Sequence, residues 1–215
     1  KGSRKTELAA WIAACELHPD APVRCYDFDG KGRPLGRGVT DPYIPMMAYT
    51  EEQTEELAYG ALKVILENSP IAKDFDIGLA RIVRADGTGR AEAVAGSPNA
   101  VDGARTTWQH ADESHRMVLP KLKQAHGIML RNLLKRRESD PWALETTTAF
   151  APGENSVAES TMEYARAIHE GRSKEAEPRL FFFHRQASDE YDLEDPVQRR
   201  QAVIEAAGPI VSKWL

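Results

Sequence analysis

Arg105-Thr106-Thr107-Trp108-Gln109-His110-Ala111-Asp112-Glu113-Ser114-His115 is the stretch on which the reading of the fold turns. A β-prone run ends in two adjacent carboxylates, and a helical stretch follows. A strand that delivers Asp-Glu at its carboxyl end suits phosphate chemistry. The Asp holds Mg²⁺ through its water shell, and the Glu polarises a water for attack on a phosphate. An Asp-Glu pair can equally be a solvated strand end. The phosphate reading needs a cradle elsewhere in the chain, and Lys1-Gly2-Ser3-Arg4-Lys5-Thr6 offers one.

A phosphate loop requires backbone N–H groups at a helix start, a lysine for the β/γ-phosphates and a hydroxyl for the metal. Gly2, Ser3, Lys5 and Thr6 stand in that order, and an apolar helix is predicted from Thr6 to Leu17. Arg4 occupies the place where such loops carry glycine. Only the second half of G-x-x-x-x-G-K-[ST] is present, and no strand precedes it. Position 1 is therefore expected to lie inside a longer natural chain.

Between the two motifs, Val23 to Phe28 alternates like a strand, and Asp29 to Gly38, with four glycines and a proline, reads as an exposed loop. Tyr43 to Tyr49 is a short apolar run suited to a buried strand. Thr50-Glu51-Glu52-Gln53 is a capping box opening a helix that Asn68-Ser69-Pro70 ends. Ile77 to Val83 and Arg90 to Ala95 read as strands joined through Asp86-Gly87-Thr88-Gly89. Past the acidic pair come a helix over Met117 to Arg137, a strand over Trp142 to Phe150, and a helix capped at Asn155 or Ser156. A buried strand is expected over Arg179 to His184, then a helix after Asp195-Pro196 that ends near Gly208-Pro209.

Strands alternating with helices argue for a largely parallel sheet covered on both faces. The order is that of P-loop ATPases (RecA-like, ASCE) with one extra strand between the phosphate loop and the acidic pair. The next strand would carry Thr146-Thr147-Thr148 to sense the γ-phosphate. The acidic run Ser188 to Asp192 reads as a linker. The division is thus 1–186 for the ATPase domain, and 187–215 for a short linker or lid segment.

With 41% hydrophobic and 28% charged residues the chain can bury a sizeable core, and a net charge of −5 excludes a protein basic all over. No apolar run reaches membrane-spanning length. Cys15 and Cys25 lack metal spacing and are expected as reduced core thiols. His110, His115, His126 and His184 lack the paired spacing of a metal site and read as structural. Trp11, Trp108 and Trp142 read as core.

In the order of these motifs the chain resembles the ATPase domain of a tailed-bacteriophage terminase large subunit, the DNA-packaging motor. Lys1 to Leu8 looks like that family's variable phosphate loop, and Pro45 to Gln53 like its strand-to-helix step ending in glutamine. Ser97 to Arg105 resembles the run before its acidic pair, Asp112-Glu113-Ser114-His115 the pair, and Thr146-Thr147-Thr148 its coupling motif. Leu180 to Arg185 with Asp192 to Pro196 resembles the passage out of the ATPase core. The likeness covers nearly the whole chain.

The resemblance implies roles. Gly2, Ser3, Arg4, Lys5 and Thr6 would bind ATP, with Lys5 on the β/γ-phosphates. Thr6 and Asp112 would hold Mg²⁺, and Glu113 would orient the attacking water. Thr146, Thr147 and Thr148 would report hydrolysis to the moving parts. Arg4 and Arg105 are the candidates for an arginine that steadies transition-state charge. The implied partners are double-stranded DNA, the portal protein, the small terminase subunit and further copies in a ring, at the prohead in the host cytoplasm. Nuclease activity, which the family carries in a further domain, is not expected of this stretch.

From Ser114 to Arg137 there are seven basic residues and no acidic one. Lys121, Lys123 and Arg131 are the weak candidates for DNA contact; Lys135 to Arg137 also suit a helix carboxyl end. Two other readings stand beside the motor: a helicase-like nucleic-acid ATPase with an Asp-Glu-x-His box, and a degenerate P-loop module that only binds partners.

Overall fold

The computed structural model describes residues 4–49, 58–94, 96, 103–174 and 179–211. They fall into two compact units, one spanning Lys5–Thr161 and one beginning at Met162 that also takes in Arg4.

The larger unit is built on a six-stranded sheet in the order β4-β5-β6-β3-β7-β8. β3 (Tyr43–Met47) lies between β6 (Arg90–Val94) and β7 (Trp108–Asp112), and β7 pairs with β8 (Trp142–Thr146), all in parallel. Parallel strands need covered faces, and the strand sequences show it: every residue of β3 and of β7 is buried. β5 (Arg81–Arg84) runs antiparallel to β6, and β4 (Phe75–Ile77) antiparallel to β5, as an extension at one edge. The run Ile77 to Val83, expected as one strand, is thus two. The chain reverses at Gly78, whose N–H bonds the Arg81 carbonyl at 2.9 Å. A Cβ there would stand 2.8 Å from that same oxygen, so only glycine fits.

Side chains alternate across a strand, and the alternation sorts the two cores. Ile44 and Met46 of β3 and Trp108 of β7 pack under α1 (Lys5–Leu17) and α2 (Ala58–Glu67), with Ala10, Ala13, Leu17, Tyr59, Leu62 and Leu66. Met47, Val94 and Ala111 face the other way, against Leu122, Ala125 and Met129 of α3 (Pro120–Leu133) and Val157 at the start of α4 (Val157–His169). Helices on both faces of a mostly parallel sheet are the architecture the sequence led us to expect.

α1 is buried on one side only. Leu8 and Trp11 are each 58% exposed, so Trp11 is not a core residue, and Cys15 and Cys25 are exposed rather than buried thiols. Alanines at 9, 10, 13 and 14 bring the helix close to the sheet, Glu16 and Leu17 are buried at its carboxyl end, and Leu8 and Trp11 point away. Its carboxyl end is held by two buried arginines. Arg84 Nε donates to the Leu17 carbonyl at 2.6 Å. Arg24 makes a bidentate pair with Glu16, at 2.6 and 2.7 Å, and donates to the carbonyls of Ser139 and Thr107. Trp142 Nε1 donates to the same Glu16 carboxylate at 2.9 Å.

β1 (Arg24–Phe28) and β2 (Pro34–Arg37) form a separate two-stranded antiparallel sheet, not part of the central one. Four of the ten residues expected as loop are therefore strand. Asp29 makes the turn, its carboxylate accepting from the N–H groups of Lys31 and Arg33 and from Arg33 Nε. The capping box expected at Thr50–Gln53 lies outside the described residues. Ser156 caps α4, accepting from Glu159 N at 3.1 Å, while the Glu159 carboxylate reaches back to the N–H groups of Gly153 and Asn155.

In the smaller unit, α5 (Pro196–Val211) is capped by Asp195, whose Oδ1 accepts from Val197 N at 2.8 Å, and is broken at Gly208 with φ of 77°. The strand expected over Arg179 to His184 does not form. That stretch joins no ladder among the described residues, and Phe181 and Phe183 are 91% and 74% exposed. Among the described residues no helix is long and apolar enough to cross a membrane.

Candidate functional site

β7 brings the acidic pair to the carboxyl edge of the sheet, where α1 begins. Trp108, His110 and Asp112 share the face under α1, as the two-residue period requires. Asp112 is 1% exposed, and its carboxylate accepts three hydrogen bonds. Thr6 Oγ1 donates to Oδ2 at 2.9 Å, while Thr146 Oγ1 and Glu113 N donate to Oδ1 at 2.8 and 2.9 Å. The Thr6 bond spans 106 positions of sequence. It places the first turn of α1, with Lys5 as its first residue, beside the end of β7. The first turn of a helix carries N–H groups that have no intrahelical acceptor, and the positive end of the helix dipole.

Behind Asp112 lies a buried relay. His110 Nε2 is 2.7 Å from Thr146 Oγ1. Since the Thr146 hydroxyl gives its proton to Asp112, it accepts from His110, and the imidazole carries its proton on Nε2. Burial pushes the His110 ring down to about 4, with the Asp112 carboxylate acting the other way, so the ring is neutral. Its Nδ1 has no hydrogen-bond partner among the described residues. An unpaired buried acceptor costs about 1–3 kcal/mol. The stacking of the His110 ring on Trp108, 6.1 Å between centroids, holds it in place.

Glu113 leaves the strand with φ of 54° and ψ of 43°, a left-handed conformation rare outside glycine. Its N–H bonds the Thr146 carbonyl at 2.8 Å as well as Asp112. The side chain meets His115, whose Nδ1 lies 3.2 Å from Oε2. His115 is fastened in turn to Thr147: its backbone N and its Nδ1 are each 3.0 Å from Thr147 Oγ1. On the opposite face of β8, Glu145 accepts from Ser114 Oγ at 2.7 Å and Thr161 Oγ1 at 2.9 Å, with His126 Nε2 at 3.8 Å.

The structure thus brings Lys5, Thr6, Asp112, Glu113, Thr146 and Thr147 to one edge of the sheet, with Thr148 beside His115. Arg105 is elsewhere. It precedes the amino end of β7, a strand roughly 13 Å long between its end Cα atoms. Arg105 pairs at 3.7 Å with Glu138, both side chains well exposed, so it stands at the far end from Asp112. Arg4 has φ of 52°, so the arginine standing where a phosphate loop carries glycine takes a backbone conformation glycine adopts freely. Gly2, Ser3 and the run 97–102 lie outside the described residues.

The basic residues of α3 do not form one stripe. At about 100° per residue, Lys121 and Arg131 stand ~80° apart around the helix, and Lys123 lies ~160° from Lys121. Lys121 and Arg131 are exposed, whereas Lys123 Nζ donates to the Asn155 carbonyl at 3.0 Å.

His110 and Glu145 are site neighbours that sequence spacing did not single out as functional, and His115 was marked only by the Asp-Glu-x-His box. Parity was the available signal, because residues 110 and 112 share one face of any strand. Among the described residues no group of three or more His, Cys, Asp and Glu is placed to hold a metal. One carboxylate beside one hydroxyl suits Mg²⁺, which keeps several waters and takes few protein ligands.

The crystal structure of the HK97 bacteriophage large terminase matches 98% of this chain with a TM-score of 0.64 at 12% identity. The Thermus phage P74-26 large terminase ATPase domain matches 69% of it with a TM-score of 0.48 at 18% identity. The large terminase of a thermophilic bacteriophage, in complex with ADP, matches 72% with a TM-score of 0.31 at 14% identity. This chain spans 38% of the HK97 protein and 56% of the P74-26 domain. No family model matches the sequence, and no curated protein matches it. The fold is similar to that of the portion of the HK97 large terminase it matches, as the motif order led us to expect.

Proposed function

We propose that this chain is an ATP-hydrolysing domain of the terminase large-subunit kind, which couples hydrolysis to moving double-stranded DNA into a prohead. The observation that carries the reading is the Thr6 Oγ1–Asp112 Oδ2 bond of 2.9 Å. It joins the two motifs of the sequence at the carboxyl edge of a parallel sheet, where open α/β folds bind ligands. The HK97 likeness in fold supports the packaging context.

The residues present divide the chemistry among them. Lys5 and the first N–H groups of α1 take up phosphate charge. Thr6 and Asp112 supply hard oxygen donors for Mg²⁺, which when bound neutralises charge on the phosphates. Glu113, partly out of the protein at 26% side-chain exposure, accepts a hydrogen bond from the attacking water and orients it. Thr146 bonds Asp112 directly and Thr147 bonds His115. A shift of the carboxyl end of β8 is therefore felt by both acidic residues, which gives the threonine run a physical route for coupling. Double-stranded DNA, portal protein, small subunit and a ring of further copies are the partners this reading brings with it, with exposed Lys121 and Arg131 as the α3 positions open to a phosphate backbone.

Glu113→Gln and Lys5→Ala test the reading together. Lys5→Ala should weaken ATP binding roughly tenfold or more, the loss of one charge-assisted contact. Glu113→Gln should bind ATP like the parent and lose about a hundredfold or more in turnover. Parent-like binding and turnover in both variants would mean that Lys5 and Glu113 do not serve the reaction, and the ATPase reading of this site would fail.

A further inference from the structure

A carboxylate that orients a water must itself be oriented, and Glu113 begins with a disadvantage. Its flexible side chain starts from a left-handed backbone at the end of a strand. The partner that meets its carboxylate is His115, two residues on, with Nδ1 at 3.2 Å from Oε2.

The surroundings fix which ring nitrogen carries the proton. The Glu113 carboxylate offers only lone pairs. The Thr147 hydroxyl accepts from the His115 backbone N–H at 3.0 Å and donates to the Thr148 carbonyl at 3.0 Å, so it too has only a lone pair for the ring. Nδ1 faces both acceptors and therefore bears the proton. The Thr148 hydroxyl lies 3.4 Å from Nδ1 and 3.5 Å from Nε2. The single Nδ1 proton is shared between Thr147 Oγ1 at 3.0 Å and Glu113 Oε2 at 3.2 Å, so the ring ties the carboxylate to the threonine.

We infer that His115 is the positioning residue for Glu113: its Nδ1–H fixes the direction of the carboxylate, and its anchoring on Thr147 and Thr148 ties that direction to the carboxyl end of β8. This deepens the proposed ATPase reading and rests on it. The ring contacts of His115 run to Glu113, Thr147 and Thr148, so its effect on hydrolysis passes through Glu113. The segment after β8 thereby gains leverage over the water-orienting carboxylate: pulling Thr147 away from the ring loosens Glu113, and restoring the contact sets it again.

The test is steady-state ATP hydrolysis and fluorescent ATP-analogue binding on the full chain, with His115→Ala, His115→Asn, Glu113→Gln and the Glu113→Gln/His115→Ala double variant. His115→Ala should lower kcat roughly tenfold or more with KM and analogue affinity within about twofold of the parent, the pattern of a misaimed group. His115→Asn, whose amide N–H can stand in for Nδ1–H, should recover most of that loss. The double variant should be no slower than Glu113→Gln alone. A parent-like kcat in His115→Ala overturns the inference, as does a loss that Asn fails to rescue or that adds fully to Glu113→Gln. Should His115→Ala not fold, Thr147→Val takes its place with the same expectation for kcat. The two readings fail separately: a Glu113→Gln variant that turns over ATP like the parent sinks the ATPase assignment, whereas a dead Glu113→Gln beside an unaffected His115→Ala sinks only the role of His115.

Discussion

Asp112 is where most of the account converges, because a buried carboxylate with three donors has one orientation and little freedom to leave it. Thr6→Val removes one of those donors while keeping the shape of the side chain. It should weaken Mg²⁺-dependent nucleotide binding and leave nucleotide binding measured in excess chelator unchanged, read by titration under both conditions; equal loss in both would mean the hydroxyl only supports the fold. Arg4 makes the opposite case. A non-glycine residue at φ of 52° is held at a cost of about 1 kcal/mol. Arg4→Gly should therefore bind ATP at least as tightly as the parent and melt no earlier. A clear loss of affinity would show that the guanidinium, not the backbone, serves the nucleotide. His126 supplies a pH dependence. Burial lowers its pKa below the ordinary 6.5, with Glu145 opposing. The folded ring resists a proton that the unfolded chain accepts, so stability is complete above that value and declines as pH falls below it. The urea midpoint should drop between about pH 7 and pH 5, and His126→Gln should drop less; identical slopes would rule out His126 as a contributor.

At the level of elements, the motif strand and the helix after the phosphate loop were legible because their chemistry and periodicity agree: Trp108, His110 and Asp112 on one face, a lysine and a hydroxyl opening an apolar helix. What the sequence did not disclose were partners. A run of three phenylalanines reads as a buried strand, but a strand needs a ladder, and Phe181 and Phe183 stand exposed without one. Pro34 to Arg37 reads as loop from its glycine and proline, yet Arg24–Phe28 lies alongside and pairs with it. Trp11 belongs to an apolar helix, but four small alanines do the packing and leave it outside. The far end of the same helix depends on the Glu16–Arg24 pair, which is 2% and 5% exposed. Glu16→Gln should leave the guanidinium buried and uncompensated, at a cost of roughly 3 kcal/mol in denaturant unfolding. A parent-like midpoint would place water where the structure places a closed ion pair.

For the molecule as a whole, the meeting of the start of α1 with the end of β7 agrees with the expectation that Lys5-Thr6 and Asp112-Glu113 face each other. On the proposed reading the two motifs are useful only when they face each other, so the pair constrains the topology between them. The threonines at the end of β8 were expected beside the acidic pair, and His115 stood in the Asp-Glu-x-His box, but the links through His110 and Glu145 were not foreseen, since those two carry no spacing that distinguishes them from structural residues. The central claim is that the start of α1 and the end of β7 close on one metal–nucleotide. The most direct measurement is a crystal structure of this chain grown with Mg²⁺ and a non-hydrolysable ATP analogue. In that complex the Thr6–Asp112 hydrogen bond is expected to open, both side chains to turn to the metal, and the terminal phosphate to lie beside Lys5 and Glu113. A nucleotide bound elsewhere, with the Thr6 hydroxyl still on Asp112, would contradict it.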